Sequence, residues 1–557
     1  MTKLKDSIGK ASLSMILGMA VILGGGFFDY SVAIVGAIIT ISLFAMLIKG
    51  ESFFQRDRRK VFAIPIMIMC ISIIVSFWAI DYMDNFMGIM RIGVICLWMW
   101  MIRCKSNEDI NLVQNIIPVL GCIMVLISVA SLFVFNMKLY FWENNRMSGF
   151  FQYANTCGLF TAIGLVILVH NWKERKNFIL KIMQLVILVA GLLLTGSRSI
   201  LLVLLIWGIY YAFRRRDVQK PFFITTFLLI LAGSSYIILT GNTENIGRIF
   251  TIFSSNSTIW GRVLYARDAI FVLFKKFYGL GRMGYYYSQG TFQTGVYHTR
   301  FVHNDFLQIA LDYGVIALIL LLLFIGWQVF YGKQNRNDKE ILLLICFSSL
   351  VDFHCQYLSI IMIAVLFLDY GECIKVKKKE LRENYIILPA LLILFVYIGI
   401  ATGCSKIGNQ DFALAMLPDY TYAQEKKMLF FFKQKTAYEI ASKVIDKNPY
   451  NITAFITRGS FCASQIRIEE CIDDLNQMLE LDPYNVEYYK QYEQLLQNLI
   501  LQLNRISSVA EKQEMYEYYM ALLQERIDSL PAQLASLQER TSCIAYKIKD
   551  KPVFLYK

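Results

Sequence analysis

The chain has 557 residues, of which 56% are hydrophobic and only 17% charged, with a mean hydropathy of +0.48 and a formal net charge of +13. Soluble domains carry about 45–50% apolar and about 25% charged residues, so a soluble globule, a disordered chain and a secreted disulfide scaffold are excluded. What remains is an all-α, polytopic helical membrane protein, provided the apolar residues come in runs long enough to cross a bilayer.

They do. Runs lie at 11–28, 31–48, 61–80, 86–102, 116–135, 154–170, 178–195, 199–213, 222–240 and 305–331. An interrupted pair at 341–351 and 356–371 and a last run at 385–402 bring the expected spans to about 12–13. A helix rises about 1.5 Å per residue, so about 20 residues cross a core about 30 Å thick. The runs 86–102 and 199–213 and the interrupted pair are short by that measure. The first run has no small-residue cleavage site before the next begins, so no cleavable signal peptide is expected.

Lys and Arg favour cytoplasmic loops. With the N-terminus inside, the inner loops hold 26 basic residues, against Lys138, Arg146 and Arg198 in the short outer connections. The same bias splits 341–371 into two short helices broken at Asp352–Phe353–His354, because a single helix would turn Lys375–Lys379 outward. The last span then delivers residues 404–557 to the outer face. That tail holds 18 basic and 20 acidic residues, so the positive excess belongs wholly to residues 1–403. Insertion and anionic lipid account for it without nucleic acid. The expected organisation is a cell-membrane domain over 1–403, with a large external loop at 241–303, and a soluble extracytoplasmic domain over 404–557. The twelve cysteines lack ligand spacing and no C-x-x-C occurs, so no zinc site and no other metal is expected.

Within the tail, Asn448-Pro449-Tyr450-Asn451 recurs as Asp482-Pro483-Tyr484-Asn485, a period of 34 residues. That period, with Phe455, Gly459, Cys471 and Leu475 between, resembles tetratricopeptide repeats, in which paired helices form an interaction surface. The resemblance implies a protein partner on the tail, and a plain helical cap is the alternative. Deleting 404–557 is then expected to disturb partner or product-length control more than chemistry.

Polar groups near the membrane are costly and mark function. Thr195-Gly196-Ser197-Arg198-Ser199 joins two spans with hardly any loop, placing Arg198 at the outer interface. It is either a snorkelling anchor or an anion site, since a guanidinium fork grips phosphate oxygens bidentately. The loop 241–303 carries Arg248, Arg262, Arg267, Lys275, Lys276, Arg282 and Arg300 against Glu244 and Asp268, opposing the insertion bias. Ile259, Val263, Ala266, Ile270 and Phe274 recur at helical spacing and predict an interfacial amphipathic helix. Gly279, Gly281 and Gly284 follow, then Tyr285, Tyr286, Tyr287 and Tyr297, whose rings suit either sugar stacking or an interfacial belt. His303-Asn304-Asp305 closes the loop, and an imidazole there can take or give a proton near neutrality. His354, in the broken pair, reads as a buried polar hinge.

Ser197-Arg198, Gly261-Arg262 opening a helix, Gly279-Leu280-Gly281, His303-Asn304-Asp305 and Asp312-Tyr313-Gly314, in that order over about residues 140–330, resemble the O-antigen ligase and polymerase superfamily. The resemblance implies a metal-independent, inverting membrane glycosyltransferase with no cofactor. It would move glycan from a polyprenyl diphosphate-linked donor to a glycan or lipid-linked acceptor in surface polysaccharide synthesis. By the same resemblance Arg198 and Arg262 match diphosphate-binding arginines and His303 the catalytic histidine, as base or orienting group. A metal-dependent transferase using Asp29, Asp81 or Asp84 and a flippase or transporter of the same lipid-linked glycan are the competing readings. No internal repetition of broken helices supports the transporter.

Overall fold

The structure, a computed structural model, describes residues 13–49, 53–56, 59–172, 177–215, 256–376, 384–507, 513–548 and 552–554. The predicted span at 222–240, together with Arg248, Glu244 and inner-loop residues such as Lys3, Lys173 and Lys377, lies outside the described residues. Among the described residues, five helices are long and apolar enough to cross a bilayer: Asp29–Met46, Tyr82–Arg103, Asn107–Phe133, Phe178–Thr195 and Ile386–Lys406. Leu13–Ile22, Ala63–Val75, Ala154–His170 and Val315–Tyr331 are shorter and also apolar. All lie on predicted runs.

Side-chain distribution separates the buried helices from the peripheral ones. Nearly every residue of Ala154–His170 is buried, whereas Phe178, Ile179, Met183 and Val186 of the following helix are exposed. A helix that exposes large apolar groups suits lipid rather than water. Val32, Val94, Trp98, Ile163, Ile360 and Ile398, drawn from five different helices, meet in one core.

Two departures from the predicted runs matter. The run 305–331 is not one helix: it divides into Asp305–Tyr313 and Val315–Tyr331 at Gly314, whose φ is +89°. A Cβ there would meet the Tyr278 carbonyl at 2.9 Å, so only glycine permits both the bend and the approach of the external loop. Second, 341–371 is a broken pair: Arg336–Ser349, a single turn His354–Gln356, and Leu358–Leu366. The chain reverses there, because Asp369 Oδ2 accepts from Lys333 N at 2.5 Å and Gln328 Oε1 accepts from Asp369 N at 2.8 Å. The strand Cys373–Val376 then pairs antiparallel with Phe53–Arg56, setting two basic loops side by side. The charge rule had demanded this hairpin.

The tail is helical throughout its described part, including Lys435–Lys447, Ile452–Ser464, Ile468–Leu481, Val486–Ser507 and Gln513–Arg540. A Cβ on Gly459 would lie 3.2 Å from Asp474 Cβ, so the helices Ile452–Ser464 and Ile468–Leu481 approach closely there. The duplicated turns both point at the membrane unit. Asn448 Nδ2 donates to Asp81 Oδ2 at 3.2 Å, and the Lys276 ammonium lies 5.9 Å from the Tyr450 ring centre. In the second turn Asp482 Oδ1 accepts from Gln293 Nε2 at 3.2 Å, and a Cβ on Gly290 would fall 2.0 Å from Leu481 O. Thr421 Oγ1 adds a 2.7 Å bond to Asp81 Oδ2, and Ser542 N one of 2.9 Å to Thr294 O.

This docking changes the expectation for the tail, since its seat is the loop segment that runs on to His303. Gly290→Leu is expected to unseat it, raising protease cleavage near residue 482 and lowering turnover severalfold in membranes. Unchanged proteolysis and turnover would mean that the contact is dispensable.

Candidate functional site

Three distant segments meet at Asp352, a fully buried carboxylate at the break between the two short helices. Its Oδ1 accepts from His303 Nδ1 at 3.0 Å, Tyr153 OH at 2.8 Å and Phe353 N at 3.0 Å. Its Oδ2 accepts from Arg262 Nη2 at 3.0 Å and Asn155 Nδ2 at 2.6 Å. Burial alone would raise this carboxyl. The hydrogen bond from His303 and the charge of Arg262 outweigh it and hold Asp352 well below the usual carboxylate range. An ionised carboxylate only accepts, so His303 Nδ1 is the donor in this pair and Nε2 is the ring nitrogen left to meet a ligand.

Each partner is held from behind. Asn304 caps the helix Asp305–Tyr313 by accepting from Leu307 N at 3.0 Å, and its Nδ2 donates to Leu350 O at 2.9 Å. The loop residue before the cap, His303, is thereby fixed against the broken pair, with its side chain 22% exposed. The rings of Phe353 and Tyr265 lie 5.1 and 6.0 Å from the imidazole. Arg262 projects from the helix Asn256–Lys275 and keeps its Nε buried without a partner among the described residues. That helix is the predicted amphipathic one: Ile259, Val263, Ile270 and Phe274 are exposed and Asp268 is buried.

Arg198 sits elsewhere. Gly196, at φ +56°, ends the helix Phe178–Thr195, and Arg198 opens the helix Arg198–Arg214. Arg198 is half-buried and is not among the groups on Asp352. What links its turn to the cluster is Arg146, which donates to Thr195 O at 2.8 Å and to Asn155 Oδ1 at 2.6 Å. Asn155 in turn holds Asp352. Ser197 Oγ is buried and unpartnered among the described residues at this helix start. Helix N-termini attract anions, since their first N–H groups lack intrahelical acceptors.

His354 does not hydrogen-bond to Asp352; its bond runs to Thr156. It is fully buried with Nδ1 3.0 Å from Thr156 Oγ1, and burial lowers its pKa to about 4 despite Asp352 nearby. A neutral imidazole packed under the turn fits the hinge that its place in the sequence suggests. The tyrosine cluster is also mainly structural: Tyr285, Tyr287 and Tyr297 are buried, with Tyr297 OH on Asp268 at 3.0 Å and Tyr287 OH on Asp84 at 3.3 Å. The acids of the metal-dependent reading are engaged as well. Asp29 and Asp84 face Arg282 at 3.6 and 3.9 Å, and Asp81 holds the tail.

Sequence reasoning overlooked Asp352, Tyr153, Asn155 and Arg146 as members of the site. In the sequence Asp352 reads only as a helix breaker, because the residues it holds lie 49, 90 and 199 positions away. No curated protein and no solved structure matches the chain. Residues 183–322 match the family model described as O-antigen ligase. The matched stretch contains Arg198, Arg262 and His303 and stops short of Asp352, and over that stretch this multi-pass membrane protein is similar in sequence to the O-antigen ligases.

Proposed function

We propose that the protein is a membrane glycosyltransferase that moves an oligosaccharide from a polyprenyl diphosphate carrier to an acceptor hydroxyl, as a surface-polysaccharide polymerase. The observation that carries this reading is the His303–Asp352–Arg262 cluster: one buried carboxylate orients an imidazole and anchors a guanidinium. His303 Nε2 takes the acceptor hydroxyl proton as that oxygen bonds to the anomeric carbon. The carbon–oxygen bond to the diphosphate breaks on the opposite face, so the anomeric centre inverts. Charge developing on the departing diphosphate falls on Arg262 and on Arg198, with the N-terminus of the helix Arg198–Arg214 adding its partial positive charge. Fixed cations in a water-poor site need no reorganisation when that charge appears.

The active face is outward and the N-terminus cytoplasmic, in keeping with the basic loops at the opposite end. The tail is a tetratricopeptide-like stack whose surface turned away from the membrane takes a protein partner or the growing glycan.

The test is product formation from a defined lipid-linked donor in detergent. Donor binding without any product would instead make the protein a carrier. Arg198→Lys is expected to lose at least about tenfold in kcat/KM, since an ammonium cannot reproduce the two-pronged contact. A normal rate would make Arg198 an anchor of its turn. A chelator is expected to leave turnover unchanged, because the arginines supply the positive charge; a rate abolished by chelation and restored by a divalent ion would revive the metal-dependent reading.

A further inference from the structure

The last turn of the tail reaches the helix that carries Arg262. Ala545–Lys547 forms a single helical turn, and Ala545 packs with Leu264 and Tyr297 in a small core of its own. The Lys547 ammonium lies 4.0 Å from the centre of the Trp260 ring. Beside them Ser542 N donates to Thr294 O at 2.9 Å. A Cβ on Gly295 would fall 2.6 Å from Ala545 Cβ and 3.0 Å from Leu264 Cδ2, so the missing side chain is what lets the turn close on the helix.

Asp268, one helical turn beyond Leu264, ties down the same stretch of loop. It is buried; its Oδ2 accepts from Thr294 N at 2.9 Å and Tyr297 OH at 3.0 Å, and its Oδ1 from Thr294 Oγ1 at 2.7 Å. The Tyr297 ring lies 4.6 Å from that of Tyr265, which leads on to the His303 imidazole. Successive residues of an α-helix are turned by about 100°. Trp260, Leu264 and Asp268, four apart, therefore share one flank. Arg262, two residues from both Trp260 and Leu264, falls about 160° round, on the far flank. The helix is thus held by the end of the tail on one side and by the Arg262–Asp352 ion pair on the other. A roll about its axis would disturb both.

We propose that Ser542, Ala545 and Lys547 are positioning residues for the transfer reaction. The terminal turn clasps the helix Asn256–Lys275 against rolling and so holds the Arg262 guanidinium where the departing diphosphate leaves its charge. The proposal rests on the glycosyltransferase reading and adds to it a role for the end of the tail in the site itself. Two observations favour positioning over plain buttressing. The contact falls within one helical turn of Arg262, at Trp260 and Leu264. The stretch Thr294–Tyr297 that the turn grips also runs on to His303, so both reacting groups share one support.

The experiment uses the purified full-length protein in detergent. Gly295→Leu, which wedges the clasp open, is expected to lower kcat/KM for a lipid-linked donor about tenfold, since a misplacement of about 1 Å costs up to about a hundredfold. Arg262→Ala supplies the second arm of a double-mutant cycle. In that background Gly295→Leu should cost less than about twofold more, because the group it misplaces is gone. Ala545→Leu crowds the same contact from the tail side, and elution profile and thermal midpoint identify which variant is folded. Calorimetry with inorganic pyrophosphate is the second readout: Gly295→Leu should weaken its binding with Arg262 present and leave it unchanged in Arg262→Ala. Equal losses with and without Arg262, an undiminished rate in a folded variant, or failure of both variants to fold would each overturn the clasp, while transfer by the wild type upholds the enzyme. Pyrophosphate binding that follows the cycle without any transfer by the wild type sinks the glycosyltransferase reading and leaves the clasp. Neither transfer nor binding sinks both.

Discussion

Replacing His303 by alanine is expected to lower transfer from a lipid-linked donor by a factor on the order of 10²–10⁴, the usual contribution of a positioned general base. The loss should appear in kcat more than in KM, because the imidazole acts on the acceptor proton as the new bond forms and contributes little to holding the donor. Insertion should survive. His303 sits in a loop, partly exposed, and its backbone is held by the Asn304 cap rather than by its own ring. Single-turnover kinetics in detergent, with elution profile as the folding control, checks this. A rate close to that of the wild type would remove the imidazole from the mechanism and leave only the anion site.

Asp352→Asn should be nearly as damaging although it changes so little volume. The amide cannot hold Nδ1–H with a negative charge, so the imidazole loses both its orientation and the tautomer that exposes Nε2. Arg262 loses its counter-ion at the same time. Removing one partner of a buried ion pair typically costs about 3–5 kcal/mol, so Asp352→Asn should also lower the thermal midpoint, which His303→Ala should do much less. The pH dependence follows from sign. A carboxyl held below its unfolded value stabilises the fold fully above the ordinary carboxylate pKa of about 3.9, and that contribution is lost only as pH falls toward the lower folded value. The wild-type midpoint should therefore stay flat through neutral and mildly acid pH before dropping. Thermal unfolding of both proteins across pH tests this, and equal midpoints would mean the carboxylate is not the hub of the fold at that point.

The Gly290 contact and the two Pro-Tyr turns bear on what the tail is for. A domain that touched the membrane unit only through its linker would suit partner binding alone. Here both copies of the repeated turn seat on the membrane unit, one at Asp81 and one at Gly290–Gln293. Loop and tail thus support each other, and a partner arriving on the tail would act on a surface already coupled to the site.

Apolar runs, positive loops and the 34-residue repeat were enough to predict a helical membrane protein with a helical tail, because burying backbone in lipid leaves helices as nearly the sole solution. They also singled out His303 and Arg262, which the structure brings together on Asp352, because charge near a membrane interface is costly enough to stand out. They even required the break at 352–354, through Lys375–Lys379. Asp352 was beyond their reach: nothing local distinguishes a helix-breaking acid from a hub, and its partners lie 49, 90 and 199 residues away. Gly314 hid within a continuous apolar run, because hydropathy records side chains and not the φ of +89° that bends the chain. The seating of the tail was equally silent, since a turn that caps a repeat and a turn that docks it have the same sequence. Composition and periodicity determined which segments are helices and where they meet water; only the packing of distant segments decided which carboxylate holds the histidine, because that pairing is set by contacts that no stretch of chain contains by itself.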